Sequence, residues 1–182
     1  MFKLVTAPNS VLSNTAKPVL KVDSAVIKII EGMKKTLLSA ADPKGVGLAA
    51  PQIGKSLRIF ITKPTDESEI SVFINPEIKE KSSEKDYIKR SKKNTSKRAS
   101  KKLEGCLSLP NIWGPVLRSP SLTLSYLDEK GIHHEQKFNG FMATIIQHEM
   151  DHLNGIVFTQ RTIEQKKRLY KENEGELEPV EI

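Results

Sequence analysis

The spacing of apolar side chains in the first forty residues predicts one amphipathic helix. Apolar residues recur there every three or four positions, which is the period of a single buried helical face: Val26, Ile30, Met33 and Leu37. Asp23 stands before them as an N-cap, so the helix is expected to continue to about Ala40. The pattern therefore predicts a helix that packs one face against a core.

Later segments have the pattern of β-strands. Residues 57–62 and 70–75 are short runs rich in β-branched and aromatic side chains, and a proline follows each run closely. Residues 121–128 alternate polar and apolar side chains, and a turn leads from them into residues 132–138. This last pair predicts a β-hairpin.

Helical patterns return towards the end of the chain. Residues 141–153 predict a helix that ends at Asn154-Gly155. Thr162, with Gln165 three residues later, has the form of a capping box, which predicts a last helix that runs into the tail. Because strands and helices come in runs rather than in strict alternation, the chain is expected to have an α+β fold.

The net charge of +7 is concentrated in one segment. Residues 85–102 contain nine Lys or Arg and one Asp, a net charge of +8, so the rest of the chain sums to −1. Apolar residues are so few in this segment that we expect a mobile inserted loop. Residues 171–182 hold five Glu and one Lys and form an acidic tail. Otherwise we expect residues 1–182 to be a single domain.

The composition argues against several classes of protein. Cys106 is the only cysteine in the sequence, so no internal disulfide can form, which fits a reducing compartment. No apolar run approaches the roughly 20 residues of a membrane-spanning helix. The first residues lack the apolar stretch and the cleavage site of a secretory signal. We therefore expect no association with a membrane.

The strongest chemical signal is the sequence HEMDH at residues 148–152. Residues four positions apart share one face of a helix, so the imidazoles of His148 and His152 can both reach one metal ion. Glu149 lies beside the first of them, where its carboxylate can take a proton from a metal-activated water that attacks a carbonyl. The alternative is that the two histidines only pack near the end of a helix.

A catalytic site of this kind needs a third protein ligand and one open position. Cys106, in the sequence EGCLS at residues 104–108, is one candidate, although a lone cysteine is more often a small buried side chain. His133 and His134 are rivals, but they are adjacent on a predicted strand and so face opposite sides. The residues alone leave the third ligand open.

A further segment, GVGLAAPQ at residues 45–52, is rich in small residues that let a backbone approach a ligand closely. An ordinary loop after a helix would look similar. The segment lacks both the lysine of a P-loop and the full glycine pattern of a dinucleotide site, so it does not predict phosphate binding.

Together the three segments resemble the peptide deformylase family, which carries GxGxAAPQ, EGCLS and QHExDHLxG in this order. Here they stand at residues 45–52, 104–108 and 147–155 without a mismatch, and the resemblance extends over about residues 3–170. The fold that we expect is α+β, with antiparallel sheets packed around the central helix that carries HExxH, and with a C-terminal helix.

The resemblance implies a role for each matching residue. Cys106, His148 and His152 would bind one divalent metal ion, typically Fe(2+), although Zn, Ni or Co could also occupy such a site. Glu149 would act as general acid and base, and Gln52 with the backbone N–H of Leu107 would stabilise the oxyanion. Further residues would contact the substrate or orient the ligands: Gly45, Val46, Gly47, Thr144 and Ile145 for the substrate, and Glu104 and Gln147 for the ligands.

The reaction implied is removal of the formyl group, as formate, from the N-terminal formyl-methionine of newly made polypeptides. Such an enzyme is expected to be a monomer in the cytoplasm of a bacterium-like or organellar translation system. The nearest rival is an HExxH endopeptidase, which usually takes its third ligand downstream of the helix. Only Glu164 and later acidic residues are available there.

Two features depart from the family pattern. Trp113 stands where many members carry an arginine that binds the substrate backbone, and a tryptophan can stack on a peptide but cannot make a bidentate contact. The basic segment 85–102 has no counterpart. It could add attraction for ribosomal RNA, or it could be a solvated loop. It is also the only support for a nucleic-acid-binding protein with a structural metal, and its single aromatic residue, Tyr87, argues against base stacking.

Overall fold

The computed structural model describes residues 1–40, 44–88 and 102–180. Within these ranges the chain forms three α-helices, which are α1 at Ser24–Ser39, α2 at Gly140–Leu153 and α3 at Phe158–Glu164. The predicted first helix is confirmed. It begins at Ser24 because the carboxylate of Asp23 accepts hydrogen bonds from the backbone N–H groups of Ala25 and Val26.

The strands of the described residues form two antiparallel sheets. The strands are β1 at Gly47–Ala49, β2 at Ile59–Thr62, β3 at Ser71–Lys81, β4 at Glu104–Cys106, β5 at Leu109–Gly114, β6 at Ser121–Leu127, β7 at His133–Asn139, β8 at Tyr170–Asn173 and β9 at Glu176–Pro179. The larger sheet has the order β1-β2-β3-β6-β7 and contains the predicted hairpin, which is β6 with β7. The smaller sheet has the order β4-β5-β8-β9.

The larger sheet packs between two helices. Alternate residues of its central strands face opposite sides of the sheet, so each face carries apolar side chains that a helix can cover. Ile59 and Ile61 of β2 lie in an apolar cluster with Met33 of α1. Phe60, between them in sequence, lies in a second cluster with Ile146 of α2. All four residues of β2 are therefore buried. The second cluster holds α2, and with it the HExxH sequence, against one face of the sheet.

This arrangement confirms the α+β class and the antiparallel sheets around a central motif-bearing helix. The end of the chain differs from the prediction. The last helix, α3, ends at Glu164, and residues 170–179 form the hairpin of β8 and β9 instead of a helix. β8 pairs with β5 and so completes the smaller sheet.

The predicted capping box was wrong, because both of its side chains make other contacts in the folded chain. Thr162 lies inside α3, where it is fully buried and its hydroxyl donates to the carbonyl of Phe158. The Gln165 amide bonds both backbone groups of Leu117, at 2.7 and 3.1 Å, and therefore does not cap a helix. Lys166 then adopts a left-handed backbone conformation with φ of 55°, which turns the chain towards β8.

Most of the predicted basic loop lies outside the described residues, which omit 89–101. The preceding residues do have a defined place. Asp86 pairs with Arg118 through two backbone hydrogen bonds of 2.9 Å, and Ile88 is 5% exposed. In the described part of the chain, no helix is both long and apolar enough to cross a membrane.

Candidate metal centre

Three potential ligands meet where the smaller sheet approaches α2. Cys106 lies at the end of β4, and His148 and His152 lie one turn apart on α2. Their ligand atoms all lie within 4.8 Å of one another, and the Cys106 sulfur is 3.1 Å from Nε2 of His152. This is the one cluster of three or more His, Cys, Asp or Glu side chains with ligand geometry that the described residues contain.

A β-bulge positions the cysteine. Gly105 pairs with Trp113 of β5, but Cys106 pairs with Leu109, so the register shifts between the two residues. Gly105 lies directly against the indole of Trp113, and a Cβ added at Gly105 would overlap that ring. A glycine is therefore required beside the cysteine. Trp113 itself is 3% exposed, so its ring forms part of the interior behind β4.

A buried ion-pair network lies behind His148. Nδ1 of His148 is 3.0 Å from the Glu104 carboxylate, which leaves Nε2 available as a ligand atom. Arg118 donates to both oxygens of Glu104, at 2.7 and 2.9 Å, and to Asp151 at 2.9 Å. Asp151 also accepts from Arg161 of α3. The network joins the motif helix to β4 and to α3.

These contacts set the protonation states of the groups around the cluster. Burial alone would raise the pKa of Glu104, but Arg118 and His148 outweigh it and lower that pKa to about 2. Burial would likewise raise the pKa of the Cys106 thiol, but the imidazoles of His152 and His148 lower it to about 5. The cysteine is therefore a thiolate near neutral pH, which is the form that binds a metal.

Glu149 lies on the other side of the cluster, against β1. It is 3% exposed, and its Oε1 lies so close to Gly47 that a Cβ added there would overlap it. Oε2 is buried and finds no hydrogen-bond partner among the described residues. Burial raises the pKa of Glu149 to about 7, although the nearby His148 and His152 oppose the rise. A buried carboxylate left incompletely bonded is costly, and a pKa near 7 suits proton transfer.

Gln52 is held with its amide nitrogen towards the cysteine. Its Oε1 accepts from the backbone N–H of Ala49 at 2.8 Å, so its Nε2 faces the Ser108 hydroxyl at 3.3 Å and the Cys106 sulfur at 3.4 Å. Gln52 is 2% exposed. The half-buried Leu107 follows the cysteine directly in the chain.

The other predicted site residues lie around the cluster in different ways. Thr144 and Ile145 are buried on α2, and Gly45 and Val46 are half-buried before β1. Gln147 bonds the backbone of Ser119 in both directions, at 3.1 and 2.8 Å, and so ties α2 to that segment and not to a ligand.

The rival third ligands lie elsewhere. His133 bonds the hydroxyl of Ser125 and His134 bonds Asp128, each at 2.8 Å, on the larger sheet. Neither belongs to the metal-ligand cluster.

The sequence interpretation missed Arg118, Asp151 and Ser108. Asp151 lies inside the motif and Ser108 closes the EGCLS segment, so their positions beside ligands were visible in the sequence. Arg118 had no comparable local signal, because its role depends on burial between two distant carboxylates.

The donor set fits a divalent transition metal. One thiolate and two imidazoles suit Zn, Fe, Co or Ni, and three protein ligands leave a fourth position open in a tetrahedral site. The unpartnered oxygen of Glu149 is the feature that a purely structural site would not need.

Comparisons with known proteins show what the chain is similar to. The family model described as Polypeptide deformylase matches residues 1–168. The peptide deformylase of Pseudothermotoga lettingae is 40% identical over 148 residues, which cover 81% of this chain and 75% of that protein. Peptide deformylase 1 of Bacillus cereus is 34% identical over 97% of this chain and 99% of that protein.

Solved structures show the same likeness. The crystal structure of peptide deformylase from Thermotoga maritima superposes with a TM-score of 0.75 and 35% identity, and covers 88% of this chain and 97% of that one. The peptide deformylase of Plasmodium falciparum superposes with a TM-score of 0.76 and 31% identity, over 90% of this chain and 89% of that one.

Proposed function

This chain belongs to the polypeptide deformylase family and is a deformylase enzyme, and from that premise we propose that it is a metal-dependent hydrolase that releases formate from the N-terminal formyl-methionine of newly made polypeptides. The observation that carries the proposal is the meeting of Cys106, His148 and His152 beside the buried, incompletely bonded Glu149. The metal that we propose for the cell is Fe(2+), and Zn, Ni or Co suit the same donors.

When bound, a divalent ion supplies Lewis acidity, which makes a water molecule an effective nucleophile near neutral pH. Glu149 is the residue that transfers protons in the proposed reaction. We assign its carboxylate to take a proton from the attacking water and to return it to the amino nitrogen as the C–N bond breaks. The second proton of the water, on the hydroxyl of the adduct, passes to the amine, so the products are formate and a protonated α-amine. No other proton source is needed.

Gln52 is the proposed donor to the oxygen on which negative charge develops. Its Oε1 accepts from Ala49, which fixes Nε2 on the side of Cys106. Of the two contacts of Nε2, the long one of 3.4 Å to the sulfur is the one that would be exchanged for the substrate oxygen. The backbone N–H of Leu107 is the second proposed donor. A donor of this kind contributes about 3 kcal/mol to stabilisation of the transition state.

The substrate contacts remain proposals of the same kind. Gly47 would approach the formyl end, and Gly45 would contact the substrate beside it. The pocket for the first side chain would be lined or flanked by Val46, Leu107, Thr144 and Ile145. Trp113 packs against Gly105 of β4, so we propose that it acts on substrate binding indirectly, by setting the position of β4. Glu104 and Gln147 would hold α2 and its histidines in place.

The test is formate release from a formyl-Met-Ala peptide by wild-type protein and by Glu149→Ala. We expect turnover to fall by at least about 100-fold in the variant, since general acid–base catalysis contributes about 10²–10⁴-fold. Metal content should be retained, because Glu149 is not a ligand. Glu135→Ala, at an exposed position on β7, is the control and should be fully active. Full turnover by Glu149→Ala would refute the assigned role, and cleavage of unblocked peptides would favour an endopeptidase.

The proposal places the enzyme with translating ribosomes in the cytoplasm of a bacterium-like or organellar system, as a monomer and as one catalytic domain of residues 1–182. The +8 charge of residues 85–102 would add attraction for ribosomal RNA. Removal of residues 89–101 should then weaken ribosome binding and flatten its salt dependence. Unchanged binding would instead identify a solvated loop without this role.

A further inference from the structure

A small cleft lies between the entrance of the basic segment and the motif helix. It encloses about 20 Å³, enough for about one water molecule, and opens to solvent. Its lining is mostly non-polar and comes from three parts of the chain: Asp86 and Tyr87, Arg118 and Pro120, and Gly140 and Thr144. A Cβ added at Gly140 would meet nothing within 4 Å, so the space continues over the start of α2.

One wall of the cleft, at Thr144, belongs to the helix face that carries His148. Thr144 precedes His148 by four residues, so the two side chains share one face and lie about 6 Å apart along the helix axis. An extended side chain of about methionine's length spans that distance. A substrate whose carbonyl group lies beside Glu149 can therefore direct its first side chain along this face towards Thr144 and the cleft.

The backbone that carries Tyr87 is held in place by its neighbours. The backbone of Asp86 pairs with Arg118, the Asp86 carboxylate accepts from the N–H of Tyr87 at 2.7 Å, and Lys85 donates to the Ser119 hydroxyl at 2.9 Å. Gln147 of α2 holds Ser119 in turn. The stem, by which we mean residues 82–88, is thus tied to the same helix that carries the histidines.

The electrostatics favour a neutral occupant. Among the described residues, Arg118 is the one cation that lines the cleft, and its guanidinium is already bonded to Glu104 and Asp151. It therefore offers little to an anion. The carboxylate of Asp86 also lines the cleft, and it accepts from the backbone N–H of Tyr87. The rest of the lining is Tyr87, Pro120 and Thr144 beside the open backbone of Gly140, which suits the end of an apolar side chain.

From this geometry we propose that Tyr87 closes the far end of the site for the substrate's first side chain and sets the longest side chain that the enzyme accepts. The inference rests on the proposed deformylase reaction. It makes the stem of the basic segment a determinant of specificity, although the family motifs contain no part of it.

The experiment compares kcat/KM for formyl-Xaa-Ala peptides in which Xaa is norvaline, norleucine, 2-aminoheptanoate or 2-aminooctanoate. In the wild type, kcat/KM should fall beyond norleucine, by about 10-fold or more per added methylene. Tyr87→Ala should move that fall to longer side chains and raise the ratio for 2-aminooctanoate over norleucine by at least about 10-fold. Tyr87→Trp should move it the other way, towards norvaline. Glu84→Ala, exposed on the same stem, is the matched control and should keep the wild-type profile.

The outcomes separate the two claims. If the wild type cleaves the norleucine peptide and all variants share one length profile, the role of Tyr87 is refuted while the deformylase assignment stands. If the wild type releases formate from none of the peptides, the proposed function itself fails. Tyr87→Ala enlarges the site and Tyr87→Trp fills it. If one of these variants is too unstable to assay, the other must still shift the length profile, so the test stays decisive.

Discussion

Arg118→Leu removes the guanidinium that joins Glu104 to Asp151. Arg118 is 6% exposed and makes three hydrogen bonds of 2.7–2.9 Å to the two carboxylates. With leucine at position 118, the buried carboxylate of Glu104, which is 3% exposed, keeps only its contact with His148 of those described above. Removal of one partner from a buried ion pair costs about 3–5 kcal/mol. In a chain of this size the expected fall in Tm is about 6–20 °C.

The same substitution should weaken metal binding. The pKa of Glu104 is about 2 while Arg118 is present, and it rises once that cation is gone because burial favours the neutral carboxyl group. A protonated Glu104 no longer accepts strongly from Nδ1 of His148, so the ring loses its fixed orientation. The loss of such a partner typically lowers metal affinity about 10–100-fold.

Two measurements check this prediction: competition for Zn(2+) against a chromophoric chelator, and thermal unfolding of the metal-free protein. Arg161→Leu is the matched control, because Arg161 is 34% exposed and bonds Asp151 from the α3 side. Its loss should cost no more than about 1 kcal/mol and leave metal affinity unchanged. Wild-type affinity in Arg118→Leu, or an equal loss of affinity in both variants, would refute the reasoning.

Two further predictions concern the smaller sheet. Gly105→Ala places a methyl group against the ring of Trp113 and should lower the free energy of unfolding, measured in urea, by about 1–3 kcal/mol. Adding Trp113→Leu should recover part of this loss. An unchanged urea midpoint in Gly105→Ala would contradict the overlap. A chain that ends after Leu169 loses β8 and β9 and exposes the edge of β5, so its Tm should fall by several degrees. A chain that ends after Val180 should match the 182-residue chain.

The ligands could be identified from sequence because local geometry determines half of the site. His148 and His152 must share a helical face at a spacing of four, whatever surrounds them. Cys106 could be chosen over His133 only through the family resemblance, since nothing local shows that β4 reaches α2. The structure brings Cys106 into the cluster and places His133 on the larger sheet.

The features that could not be predicted depend on contacts between distant residues. The pattern of Thr162 and Gln165 has the form of a helix start, but the Gln165 amide is used by Leu117. Arg118 in the sequence resembles any surface arginine, and only the meeting of Glu104 with Asp151 makes it a buried bridge. In each case a tertiary partner overrides the local signal.

The position of the larger sheet between α1 and α2 gives the two faces of one strand different consequences for protein engineering. Ile59 and Ile61 of β2 face α1, whereas Phe60 faces the helix that carries the histidines. A substitution at Ile59 or Ile61 changes the packing of α1, because the backbone of β2 lies between these side chains and the motif helix. Leu107 packs against the same cluster, so a redesigned α1 side has to keep the contact that reaches the segment of Cys106.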